Sequence, residues 1–171
     1  MLYDYKGTKI EASSKEEAIV KIIAGKELNS KEIFERAEKG DKSILTLPKE
    51  KLMIKDNNGS TPIHYLASAR VKEILNLNKD LLMIKNKWGE TPIHWLAHNR
   101  VKEVLKFDKS FLIIKDNYGW TPIHEMASVG VKEILKLSLD MLTILNKDGW
   151  TPVHYLADNK VEIPEELKQY I

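Results

Sequence analysis

Four histidines are the residues of this chain best suited to metal or acid–base chemistry: His64, His94, His124 and His154. They are evenly spaced, each 30 residues after the last. Such spacing argues against a shared metal ion. Helices stacked side by side lie roughly 8–10 Å apart, whereas zinc needs its nitrogens within about 2.1 Å. His94 and His98 have the i, i+4 spacing of two zinc ligands on one helix. Trp95, however, stands where the zinc-protease motif has its glutamate, and no third ligand is in view. Catalysis finds little support either. The chain has no cysteine, no Gly-rich phosphate loop and no nucleophile elbow. Neighbours such as His124 and Glu125 point different ways on a helix. The residues therefore predict no enzyme, no metal and no cofactor.

Composition narrows the partner class. Across 171 residues the formal net charge is +2, too small for a protein whose main ligand is a phosphate backbone. One row of lysines, Lys55, Lys85 and Lys115, recurs once per period and keeps nucleic-acid binding as an alternative. A ligand site for a small molecule or metal in a groove is another. No apolar run approaches the length of a membrane span, and Met1-Leu2-Tyr3-Asp4-Tyr5 is not a signal peptide. A soluble cytoplasmic protein is expected. Its oligomeric state is not legible.

What positions these residues is a repeat. Gly-x-Thr-Pro-Ile-His occurs at Gly59, Gly89 and Gly119, and with valine for isoleucine at Gly149. A fixed period in this range is the signature of a solenoid. Thr61 suits an N-cap, and Pro62 suits the first helical position, where its missing N–H costs nothing. Ile63, Leu66 and Ala67 mark one apolar face, with small residues repeating at Ala97, Ala127 and Ala157 so that helices can approach closely. The helix is expected to end near residue 70, since the matching positions include Gly40 and Gly130, both suited to a helix C-terminus. A second helix is then expected through Val71, Ile74 and Leu75, running into an extended Leu81-Leu82-Met83-Ile84. The turn glycine returns in each copy, which implies a backbone position with φ > 0.

The flanks follow the same logic. Residues 59–88, 89–118 and 119–148 are full copies, and 149–171 is a partial copy with a C-terminal cap. There, Pro164-Glu165-Glu166 reads as the first turn of a final helix to Ile171. Sliding the chain by 60 residues places Ala37 on Ala97, Ile44 on Val104, Leu52 on Leu112 and Asp56 on Asp116. Residues 29–58 are thus a degenerate, charged first repeat, as an end cap should be. Asn29 and Glu32 start its helix as a capping box. Residues 1–28 are a further N-terminal cap, of which 1–12 alternate around Lys6-Gly7 as a short hairpin. They then show overlapping capping boxes, Ser13 and Ser14 with Glu16 and Glu17, before a helix carrying Ala18, Ile19, Ile22 and Ile23 to Gly25.

The stretch from Asp116 to Ala127, Asp-x-x-Gly-x-Thr-Pro-Ile-His-x-Met-Ala, closely resembles the ankyrin repeat, whose core is Thr-Pro-Leu-His-x-Ala. The resemblance covers 59–160 strongly and 29–58 weakly. It departs in its period, 30 against the family's 33, and in mostly lacking the glycine between the helices. It implies an all-α, ankyrin-type helical solenoid. It further implies that Thr61, Thr91, Thr121 and Thr151 with His64, His94, His124 and His154 tie loop to helix by hydrogen bonds. In that family, turn tips and first-helix residues line a concave face that holds partner proteins. Here those variable positions carry Trp88, Tyr118, Trp120 and Trp150 at the tips. On the first helices they carry Tyr65, Trp95, Glu125 and Tyr155. Tyr and Trp dominate binding hot spots, so an unidentified protein partner is the expected ligand. The competing reading is that some rings pack on a neighbouring loop and extend the core. Lys72-Glu73, Lys102-Glu103 and Lys132-Glu133 read as a solvated outer face.

Overall fold

The computed structural model describes residues 1–5, 8–11, 13–14 and 28–171. The helix expected over Ala18–Ile23, its Glu16 and Glu17 capping partners and the Lys6-Gly7 turn lie outside the described residues. Strand β1 (Leu2–Tyr5) pairs antiparallel with β2 (Thr8–Glu11), Tyr3 opposite Ile10. From residue 28 onward the chain is built of helices joined by turns and short extended links, with no strand. Five helices carry the stack: α1 (Ser30–Glu38), α2 (Pro62–Ser68), α3 (Pro92–His98), α4 (Pro122–Ser128) and α5 (Pro152–Asp158). Each packs on the next in sequence order, which makes the chain a helical solenoid.

Each helix starts as its sequence dictates. Thr61, Thr91, Thr121 and Thr151 sit in extended backbone at the N-cap with proline immediately inside. At α1 the cap is Asn29, whose Oδ1 accepts from Glu32 N–H while the Glu32 carboxylate accepts from Asn29 N–H. The apolar face then buries as a unit. Ile63, Leu66 and Ala67 are inaccessible, as are Ile93, Leu96 and Ala97 and then Ile123, Met126 and Ala127. Burying one such Leu or Ile is worth roughly 1.5–3 kcal/mol, and no single copy has a second layer to bury it against.

The helices end in a left-handed residue. Arg70 N–H donates to Ala67 O at 3.0 Å and Val71 N–H to Leu66 O at 2.9 Å, the paired bonds of a Schellman ending. Glycine takes the left-handed position at Gly40 and Gly130, as expected. At the other three copies the residue is Arg70, Arg100 or Lys160, with φ near +60°. The long side chains are tolerated because the position faces solvent; Arg70, Arg100 and Lys160 are all exposed.

The second half of each repeat differs from the sequence expectation. Val71, Ile74 and Leu75 do not sit on an α-helix. Lys72–Asn76, Lys102–Lys106 and Lys132–Lys136 are five-residue 3₁₀ helices. Leu81 and Leu82 are not extended but belong to a single helical turn, Lys79–Leu82, separated from the 3₁₀ segment by an extended Leu77. The cause is length. With 30 residues per copy there is no room for a second full α-helix, and a 3₁₀ segment rises more per residue, about 2.0 against 1.5 Å. It still buries Ile74, Val104 and Ile134. The terminal helix is likewise 3₁₀, Glu165–Tyr170, with Pro164 one position before it. Leu167 is buried, and Thr151 Oγ1 donates to Tyr170 O, so this segment closes the last repeat.

Two ladders run along the stack. Lys42 meets Glu73, Lys72 meets Glu103 and Lys102 meets Glu133, each pair one period plus one residue apart. The repeated Lys-Glu dipeptides are therefore not merely a solvated face: Lys72 and Lys102 each reach the glutamate of the following copy, whereas the position matching it for Lys132 is Ile163. Lys49 pairs with Asp80 and Lys109 with Asp140 in the same way. Such exposed pairs contribute little individually, about 0–1 kcal/mol. Among the described residues no helix is long and apolar enough to cross a membrane.

The turn glycines give a test of stacking. Gly119 has φ +81°, and a Cβ there would sit 2.9 Å from Lys147 N of the next copy. Gly149 has nearly the same φ but nothing within 4 Å of such an atom. Gly149→Ala should cost about 1–2 kcal/mol, the left-handed penalty alone. Gly119→Ala should cost at least about 1 kcal/mol more, because backbone must move. Urea unfolding of the two variants measures the difference; equal losses would mean that the turns are not in register.

Candidate interaction surface

Each turn is built on one Asx residue. Asp56 Oδ1 accepts from Asn58 N–H and Ser60 N–H, both at 2.8 Å. Asn86, Asp116 and Asn146 do the same for their own turns. The turns then bond to one another: Lys87 N–H donates to Asn58 O, Asn117 N–H to Trp88 O and Lys147 N–H to Tyr118 O, at 2.8–2.9 Å. The turn tips form a continuous edge, and the side chains they carry are held in fixed order.

The motif histidines join turn, helix and neighbour. Thr61 N–H donates to His64 Nδ1 at 3.0 Å, and Thr61 Oγ1 lies 2.9 Å from the same nitrogen. An amide can only donate, so Nδ1 is unprotonated and Nε2 carries the hydrogen. His64 Nε2–H faces Glu90 O of the next copy at 3.2 Å. His94 and His124 repeat this against Trp120 O and Trp150 O. His154 keeps the local bond to Thr151 N–H. Both ring nitrogens of His94 are thereby occupied, while His98 Nδ1 lies 2.9 Å from Glu125 Oε2. Among the described residues no cluster of three or more His, Asp or Glu is arranged to hold a metal.

The sites expected from sequence fall into two groups. Trp88, Tyr118 and Trp150 stand out at the turn tips, 41%, 58% and 40% exposed. Tyr65, Trp95, Glu125 and Tyr155 on the first helices are half-buried, and so is Trp120, expected at a turn tip, which lies just past the turn glycine and leans in on Tyr155. The half-buried rings touch. Tyr65 lies edge-on to Phe34 and to Trp95, with centroids 5.6 and 5.8 Å apart. Tyr155 packs against Trp120 at 4.6 Å and Trp150 at 5.1 Å. Trp95 Nε1–H donates to Glu90 Oε2. These rings therefore both extend the core and form the floor of the surface.

Between the two aromatic groups, where α4 brings Glu125 instead of a ring, lies a depression of about 460 Å³. Trp95, Tyr118 and Trp120 wall it, and Glu90, Asp116 and Glu125 enter it. Glu90 and Asp116 were not among the residues expected from sequence. The signal for them was present: Glu125 breaks an otherwise aromatic column, and Glu90 stands where two other copies have tryptophan.

The Lys55, Lys85 and Lys115 row is otherwise engaged. Each Nζ donates to a backbone carbonyl of the following copy: Lys85 O, Lys115 O and Leu145 O at 2.7–3.0 Å.

No protein-family model matches the chain, and a search of the curated proteins finds no match.

Burial sets the charge of the histidine column. It pushes His64, His94 and His124 down to about 4, more than their bonds to Glu90, Trp120 and Trp150 carbonyls raise them. The folded state thus holds three neutral imidazoles that would bind protons near pH 6.5 when unfolded. The unfolded state binds more protons throughout that window, so stability is full above about pH 6.5 and falls as pH drops toward 4. Each histidine should account for about 1–2 kcal/mol between pH 7 and pH 5. Urea midpoints at pH 7, 6 and 5 measure this; constant midpoints would contradict neutral buried rings.

Proposed function

We propose that this chain is a non-catalytic protein-interaction module of the ankyrin-repeat type, acting in the cytoplasm. It grips one partner protein along the face made by the turn tips and the outer side of α2 to α5. The observation that carries this reading is the set of exposed rings, Trp88, Tyr118 and Trp150, on an edge whose backbone is bonded from copy to copy. Large aromatic rings left in water cost free energy in the isolated protein, and they return it when a partner covers them. A pre-ordered edge loses little entropy on binding. The Thr-Pro-Ile-His repeat supports the family assignment. The lysine row supports a protein partner over nucleic acid, since its amines already bond to carbonyls of the stack.

Affinity capture from extract of the native host, with the wild-type chain and the Trp88→Ala/Trp150→Ala double variant, tests this. Both rings are exposed, so the variant should stay folded by circular dichroism. Capture should fall at least about tenfold, as hot-spot truncation does. Undiminished capture by a folded variant would remove these rings as the docking edge.

A further inference from the structure

The depression beside α4 has a charge that its own stack does not balance. In two of the three sister copies the first-helix residue facing the turn anchor is a tyrosine, and in the third it is Trp95. Tyr65 donates its hydroxyl to Asp56 Oδ2 at 2.6 Å, and Asn146 Nδ2 donates to the Tyr155 hydroxyl at 2.8 Å. At the equivalent place in α4 stands Glu125, which when ionised has no proton to offer Asp116. Instead of a satisfied pair there are two carboxylates, with Glu90 as a third in the same cavity.

Their hydrogen bonds are one-sided. Asp116 Oδ1 takes Tyr118 N–H and Trp120 N–H; Glu90 Oε2 takes Asn86 Nδ2 and Trp95 Nε1; Glu125 Oε2 meets His98. Of the other oxygens, Asp116 Oδ2, Glu90 Oε1 and Glu125 Oε1, none is sealed off from solvent without a partner. The Glu125 side chain is only 13% exposed. Burial, and then the charges of Glu90 and Asp116, push its carboxyl up against the pull of His98. Asp116 is likewise pushed up by burial and by Glu90. In contrast Asp56, where the Tyr65 hydroxyl and turn N–H groups outweigh burial, lies below the usual carboxylate range. Two histidines and no lysine or arginine line the cavity: His94, held neutral by burial, and His98, which meets Glu125.

A ligand complementary to this cavity carries positive charge, offers several donors in different directions and has a flat face for indole and phenol rings. A guanidinium does all three; an ammonium is a more strongly hydrated point charge. We propose that the Trp95, Tyr118 and Trp120 cavity receives an arginine side chain of the partner protein, with Glu90, Asp116 and Glu125 accepting its N–H groups. This rests on the docking surface proposed above and names the chemistry at its centre.

The test uses the full chain, ¹⁵N-labelled, titrated with acetyl-Gly-Arg-Gly-amide and with the matching citrulline and lysine peptides. The arginine peptide should shift the Trp95 and Trp120 indole signals with saturation. The uncharged citrulline peptide should leave them unmoved, and the lysine peptide should bind at least fivefold more weakly. Glu125→Tyr introduces the side chain of two sister copies and should weaken arginine binding at least tenfold. Glu125→Gln, of nearly the same size, repeats the measurement if the tyrosine variant fails to fold. Absence of saturable binding, equal binding of citrulline, lysine binding as tightly as arginine, or undiminished binding by the folded Glu125 variant would each overturn the assignment. Partner capture separates the two levels. Capture lost by Trp88→Ala/Trp150→Ala but kept by Glu125→Tyr leaves the docking edge standing and overturns the arginine site.

Discussion

The stack depends on a neutral imidazole between two backbones. In each full copy the histidine accepts from the N–H of its own N-cap threonine through Nδ1 and donates through Nε2 to a carbonyl just past the next turn glycine. One ring thereby fixes how the chain enters a helix and how far away the next copy stands. The two roles cannot be separated, because the local bond fixes the tautomer that makes the other possible. Burial keeps the ring uncharged, since a protonated Nδ1 could not accept from threonine. Position 61 and its equivalents are bound to the same requirement, as the cap must present its N–H and hydroxyl to one nitrogen.

Around that column, residues divide by what they hold. Asx side chains shape each turn from inside, lysine amines tie each turn to the next, and lysine–glutamate pairs do so along the far side. These contacts are backbone-directed or repeated, so they leave the turn tips and the outer face of the first helices free to vary. That face is where the copies differ: rings at most positions, a carboxylate at Glu125. Where two other copies set a tyrosine hydroxyl against the turn anchor, this copy sets a carboxylate, so Asp116 both anchors its turn and lines an acidic cavity. A rigid scaffold makes such a local exchange consequential, because the surrounding atoms cannot rearrange to neutralise it.

Much of the stack was legible in the residues. The Thr-Pro pair marks the start of every helix, and the apolar triplet Ile63, Leu66, Ala67 marks the buried face, because both depend on interactions within a few residues. The left-handed ending was legible from Gly40 and Gly130, though its occupation by Arg70 and Arg100 shows that exposure can tolerate a Cβ there. The second half of the copy is 3₁₀ where its spacing suggests α. Val71, Ile74 and Leu75 fit helical spacing, yet i, i+3 is also the repeat of a 3₁₀ turn, and so short a segment does not distinguish the two. Of the surface, the exposed rings could be named in advance. Glu90 and Asp116 left only an indirect sign, the break that Glu125 makes in the aromatic column, because their sharing a cavity with it depends on how the copies stack.

By itself the sequence determined the period, the helix starts, the buried stripe and which positions vary, because capping, turn formation and amphipathicity are local. The tertiary structure alone decided three further things: that lysine and glutamate one period plus one residue apart would pair, that five of the seven surface rings would lean on one another, and that three carboxylates would share one cavity. Each of these depends on the lateral offset between adjacent copies. That offset is set by packing of Ala67, Ala97 and Ala127 at the helix interfaces and by the histidine bridge, and no spacing within a single copy encodes it.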